Sequence, residues 1–129
     1  MDITPLIPKG KQVIEKYGNG GFTISGRKFS SSVIIFPDEV VQWEVASPDK
    51  SIQALLDYVT SAENREKFAQ ADIFILGTGS EVQFIEGNLK ESFRRHGIYL
   101  EVMTTGSACS TYNVLLTEGR NIIAALVVV

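Results

Sequence analysis

The chain has a single cysteine, Cys109, in 129 residues, so no disulfide can form within it. A reducing compartment suits that usage. It also has a single histidine, His96. One thiol and one imidazole cannot supply the four nitrogen or sulfur ligands of a structural zinc site, and no metal or other cofactor is expected. Long hydrophobic runs are missing as well. The longest, Ile122 to Val129, is far short of the roughly 20 residues that cross a bilayer. No membrane span is expected, which leaves peripheral association open. Nor is there a surplus of positive charge: the net charge is -3 and the pI about 5.1. A nucleic-acid partner needs a basic face to neutralise phosphate, so none is expected. The opening residues, Met-Asp-Ile-Thr-Pro, carry an acid and an early proline. They resemble neither a signal nor a transit peptide, so a cytoplasmic protein is expected.

Hydrophobic residues make up 44% and charged residues 21%, the balance of a globular chain. The length fits one domain over residues 1–129, with a core that needs no disulfide or metal. The centre of that core is read at Asp72 to Ser80. Ile73 to Leu76 run without a polar break and stop at Gly77-Thr78-Gly79. Such a run predicts a strand buried on both faces, as in parallel sheets covered by helices.

Along the chain, Pro5 and Pro8 predict an extended arm before Lys9. Gln12 to Tyr17, Phe22 to Ser25, Phe29 to Phe36 and Val40 to Val45 read as strands, separated by Gly-, Asn- and Pro-rich turns. Val41, Trp43 and Val45 share a face. The period changes at Ser47-Pro48-Asp49, where Ser47 or Asp49 can cap a helix. Ile52, Leu55, Leu56 and Val59 then follow helical spacing. Ser61 is expected to cap a short helix to about Phe68, with Glu63 and Lys67 paired. After the central strand, no pattern assigns Glu81 to Gly87. Asn88 to His96 reads as a helix with Leu89 and Phe93 inward, closed by Gly97. Ile98 to Met103 reads as a strand, 104–107 as a loop, Ala108 to Glu118 as a helix, and Asn121 to Val129 as a strand. The expected fold is α/β: one three-layer α/β/α domain on a mixed sheet. Its second half is parallel β-α-β-α-β, and a β-meander extends it.

Two loops then fall at one edge of the sheet. Gly77, Thr78, Gly79 and Ser80 form one, and Thr105, Gly106 and Ser107 the other. Their glycines would let amides approach an anion, beside a helix N-terminus. The pattern lacks the spacing of a dinucleotide fingerprint and the lysine of a phosphate loop. Tight turns out of buried strands explain the same residues. Cys109 near a helix start has the position of a nucleophile. His96 ends a different helix, so no dyad is expected, and a small core residue fits Cys109 better. Ser80 and Ser107 have no base beside them. Glu81 and Glu86 read as loop charges rather than acid–base groups. No catalytic residue is assigned. The helix from Ala108 holds Ser110, Thr111, Tyr112 and Asn113, all mediocre helix formers. Tyr112 and Asn113 are expected to tie neighbouring backbone, and Asn113 to pin residues 77–80.

Several segments together resemble one family. They are Gly-Gly-Phe at 20–22, Gly-Thr-Gly at 77–79, Gly-Ile-Tyr-Leu-Glu-Val-Met at 97–103, and Ser-Ala-Cys-Ser-Thr-Tyr-Asn-Val-Leu-Leu-Thr-Glu-Gly-Arg at 107–120. The chain resembles, over nearly its whole length, a domain family of unknown function. That family includes assembly factor 3 of mitochondrial NADH:ubiquinone oxidoreductase (complex I) and an adipogenesis-associated protein. The resemblance implies a three-layer α/β/α fold and no established enzyme activity. Cys109, Tyr112, Asn113 and Arg120 are expected to be structural or partner-facing positions. Ser110 stands where arginine is usual and Thr104 where aspartate is usual. With no transit peptide, a bacterial member is expected. The resulting expectation is a non-catalytic accessory or assembly protein that binds another protein. The alternative is an anion- or small-molecule-binding protein, or an enzyme, using residues 77–80 and 104–107.

Overall fold

A computed structural model describes residues 11–43, 48–85 and 87–129. The expected extended arm, Val45, the Ser47 cap and Glu86 lie outside the described residues, as do the side chains of Asp49 and Ile52. Among the described residues three short strands come first: β1 (Ile14–Gly18), β2 (Gly21–Ile24) and β3 (Arg27–Phe29). They form an antiparallel three-stranded sheet in the order β1-β2-β3. The turn between β1 and β2 uses positive φ at Gly18, Asn19 and Gly20 in succession, which glycine and asparagine tolerate best.

Among the described residues the main sheet has five strands. They are β4 (Ser32–Ile35), β5 (Val40–Trp43), β6 (Ile73–Gly77), β7 (Leu100–Met103) and β8 (Ile122–Leu126). Their order is β5-β4-β8-β6-β7. β6 pairs parallel with both β7 and β8, and β4 pairs antiparallel with β5 and β8. The sheet is therefore mixed; β6 is the middle strand of the expected parallel half, while β8, not β6, is central in the whole sheet.

Alternation along β6 sets two cores. Phe74 and Leu76 face one side, and Ile75 faces the other. The first side is covered by α1 (Pro48–Thr60), α2 (Arg65–Ala69) and α3 (Gly87–Arg95). Phe36, Phe68, Phe74 and Phe93 run through it as touching rings, with centroids 5.5, 5.1 and 6.0 Å apart. The second side is covered by α4 (Thr105–Thr117) and by the inner face of the small sheet, through Ile14, Phe22, Ile24 and Phe29. Helices thus cover both faces, and the meander shares one of them.

Three expectations need correction. Phe29 to Phe36 is not one strand. It breaks at Ser30-Ser31 into β3 and β4, which lie in different sheets. Ser61 does not cap α2, whose N-cap is Asn64. The Ser61 hydroxyl instead donates to the Tyr58 carbonyl at 2.9 Å, closing the end of α1. Lys67 pairs with Glu39 at 3.4 Å rather than with Glu63, because β5's approach brings that carboxylate across from α2.

Candidate functional site

The carboxyl ends of β6, β7 and β8 meet at one edge of the main sheet, and α4 starts there. The segment 104–107 is not a loop. Thr104 is the N-cap of α4, its hydroxyl accepting from the Ser107 amide at 3.2 Å. Thr105, Gly106 and Ser107 form the first turn. Threonine is among the preferred N-cap residues, but in a Thr-Thr-Gly-Ser run it fits a turn equally well.

Thr105 is fully buried and organises the edge. Its amide donates to the Gly79 carbonyl at 2.9 Å, and its hydroxyl accepts from the Gly79 amide at 2.9 Å. The same hydroxyl donates to the Val127 carbonyl at 2.7 Å. The Thr78 amide donates to the Met103 carbonyl at 2.9 Å. Two amides of the Gly-Thr-Gly segment are therefore bonded within the protein rather than turned toward a ligand. Gly77 serves packing. A Cβ there would stand 2.9 Å from the Thr105 Cα and 3.0 Å from the Ala108 Cβ. The missing side chain lets α4 close onto the sheet. Ser80 and Ser107 are exposed at the rim. Gly106 lies against the Tyr17 ring, and an open depression of about 490 Å³ lies over Tyr17, Thr104, Gly106, Ser107, Ser110 and Thr111.

The residues on α4 divide by what they touch. Cys109 is buried, and burial pushes its thiol up to about 12, so it is protonated at neutral pH. His96 is at the end of α3, its Nδ1 2.7 Å from the Ser92 carbonyl. Tyr112 is fully buried, and its hydroxyl donates to the Gln12 carbonyl, just ahead of β1, at 2.7 Å. Burial holds that phenol above its ordinary range. Asn113 does not pin residues 77–80. It bonds the backbone of β1, accepting from the Ile14 amide at 3.2 Å and donating to the Ile14 carbonyl at 2.8 Å. The loop it was expected to hold is held by Thr105. Arg120 sits 3.8 Å from the Asp72 carboxylate at the opposite end of β6.

Sequence reasoning passed over the surface beyond Ser80. The Thr78 hydroxyl donates to the Glu81 carbonyl at 2.8 Å and accepts from the Gln83 amide at 3.2 Å. Ile85 is buried behind them. The segment so anchored presents Val82, 62% exposed, and Phe84, 88% exposed. A mixed apolar and polar run without periodicity gave no signal that its apolar members point outward.

Residues 14–127 match the family model described as a protein of unknown function, DUF498/DUF598. The chain belongs to that family. Within it, the DUF498 chain is 32% identical over 114 residues to the mouse protein named NADH dehydrogenase [ubiquinone] 1 alpha subcomplex assembly factor 3. That match takes in 88% of this chain and 59% of the mouse protein, so the chain spans about three-fifths of that relative's length. A solution structure from Rhodopseudomonas palustris is 32% identical, with a TM-score of 0.71 over 99% of this chain and 90% of its own. A Bordetella pertussis protein described as a Mth938-like domain superposes with a TM-score of 0.77 at 21% identity, over 98% of this chain and 92% of its own. The DUF498 chain has the Mth938-like α/β fold. Among the described residues no helix is long and apolar enough to cross a membrane.

Proposed function

We propose that this DUF498 protein is a non-catalytic accessory protein that binds another protein in the cytoplasm during assembly of a respiratory NADH dehydrogenase. The observation that carries the binding part is the anchored segment 81–85, which holds Phe84 88% exposed and Val82 62% exposed. Isolated exposed apolar residues are ordinary, but two on a segment fixed by a buried-end threonine make a constrained apolar contact surface. The assembly part is supported by relatives named as complex I assembly factors. Ligand binding at residues 77–80 and 104–107 is less favoured, because Thr105 and Met103 occupy the amides of Thr78 and Gly79.

The test is deletion of the gene in its source organism, followed by native-gel measurement of assembled NADH dehydrogenase. Deletion is expected to lower the assembled complex. The parent gene is expected to restore it, and Phe84→Ser with Val82→Ser is not. An unchanged level of complex on deletion would count against the assembly role.

A further inference from the structure

β7 is an edge strand, and among the described residues no strand pairs with its outer side. The ladder to β6 shows which groups face out. The Phe74 amide donates to Tyr99 O at 2.8 Å and the Thr78 amide to Met103 O at 2.9 Å. In a parallel pair alternate residues bond the neighbour, so Tyr99, Glu101 and Met103 face β6. The amides and carbonyls of Leu100 and Val102 therefore point away from the sheet. Natural edges of this kind are usually covered or charged.

Three further features frame the strand. Tyr99, 62% exposed, stands at its amino end. The Thr78 hydroxyl lies 3.2 Å from Met103 O and 2.8 Å from Glu81 O, which puts the start of the Val82 and Phe84 segment at its carboxyl end. Glu101, partly buried and beside the Tyr99 hydroxyl, is the one charge in the strand.

Glu101 decides between occupants. In a second copy of the chain, the antiparallel register that uses both outward residues sets Leu100 opposite the other copy's Val102. Glu101 then faces its own counterpart across the two-fold axis, with Cα atoms about 4.5 Å apart. Like charges directly opposite destabilise such a pair. A different chain with a cation at that position turns the same charge into an attraction.

We propose that the outer edge of β7 docks an extended segment of a partner protein by strand addition. That segment carries lysine or arginine opposite Glu101 and an apolar residue at one or both ends, to meet Tyr99, Val82 or Phe84. Backbone bonds to Leu100 and Val102 supply the pairing, and Glu101 supplies the selection. This docking mode rests on the protein-binding reading above.

The experiment uses ¹⁵N-labelled protein and two short extended peptides, Val-Thr-Lys-Thr-Val and Val-Thr-Glu-Thr-Val, both with blocked ends. The lysine peptide is expected to shift the Leu100, Glu101 and Val102 amide signals and to bind about fivefold more tightly than the glutamate peptide. Glu101→Lys is expected to reverse that order. Glu101→Gln keeps the size and is expected to remove it. The idea is overturned by β7 signals that respond to neither peptide, by equal binding of the two, or by β7 shifts on concentrating the protein alone, which would make the edge a self-association site. If no peptide binds β7 while gene deletion still lowers the assembled complex, this docking mode fails and the assembly role stands. If the lysine peptide binds as expected and deletion changes nothing, the docking strand stands and the assembly role fails.

Discussion

Asn113 and Ile14 lie 99 residues apart and exchange two hydrogen bonds, both between one side-chain amide and the backbone N–H and C=O of one residue. The amide does for β1 what a neighbouring strand would do. Asn113→Ala leaves a buried amide and a buried carbonyl without partners, each worth roughly 1–3 kcal/mol. A stability loss of about 2–4 kcal/mol is expected in urea denaturation. Asn113→Asp should be no better, because a carboxylate cannot donate to the Ile14 carbonyl. An alanine variant as stable as the parent would show that the pair holds nothing.

Thr105 offers a cleaner separation of bonding from packing. Thr105→Val keeps the shape and removes a hydroxyl that both accepts from Gly79 and donates to Val127. The expected cost is about 2 kcal/mol, with Thr105→Ser closer to the parent. Amide exchange at Gly79 is the local readout. It should speed up in the valine variant and stay slow in the serine one.

Gly77→Ala tests the contact between sheet and helix. The added methyl would meet the Thr105 backbone at 2.9 Å, where nothing flexible can yield. Overpacking of this kind costs about 1–3 kcal/mol. A calorimetric melting temperature unchanged by the substitution would mean that α4 rides further from β6 than described.

Cys109 should resist thiol reagents at neutral pH in the native protein and react on unfolding. Its pKa is raised by burial from 9.0 to about 12, so the unfolded chain ionises first. The stabilising effect of the proton is complete below pH 9 and is lost as pH rises toward about 12. Cys109→Ala should lack that share of the alkaline loss. Rapid stoichiometric labelling at pH 7 would refute the buried thiol.

The parallel half of the sheet was legible because its signals are local. Ile73 to Leu76 is an unbroken apolar run, and Gly97 and Gly119 take the positive φ that closes a helix. The start of α4 was not legible, because Thr104-Thr105-Gly106-Ser107 has the composition of a turn while adopting a capped helix. The split at Ser30-Ser31 was hidden by apolar residues on both sides of it. At the candidate site, the burial of Asn113 and its need for backbone partners followed from the residue type. Its partner did not, since nothing near residue 113 indicates that the small sheet folds back over α4. The outward aim of Val82 and Phe84 depends on bonds to Thr78, which no spacing rule records.

The strand order has a consequence for the chain as it is made. β8 lies between β4 and β6 in space yet comes after both, and after β5 and β7, in sequence. Until Ile122 to Leu126 have left the ribosome, the β4–β5 hairpin and the β6–β7 pair are separate ribbons, each with a bare inner border. The five-stranded sheet closes only once β8 can pair with both ribbons. Before that step, each growing chain carries two borders able to pair with the wrong neighbour.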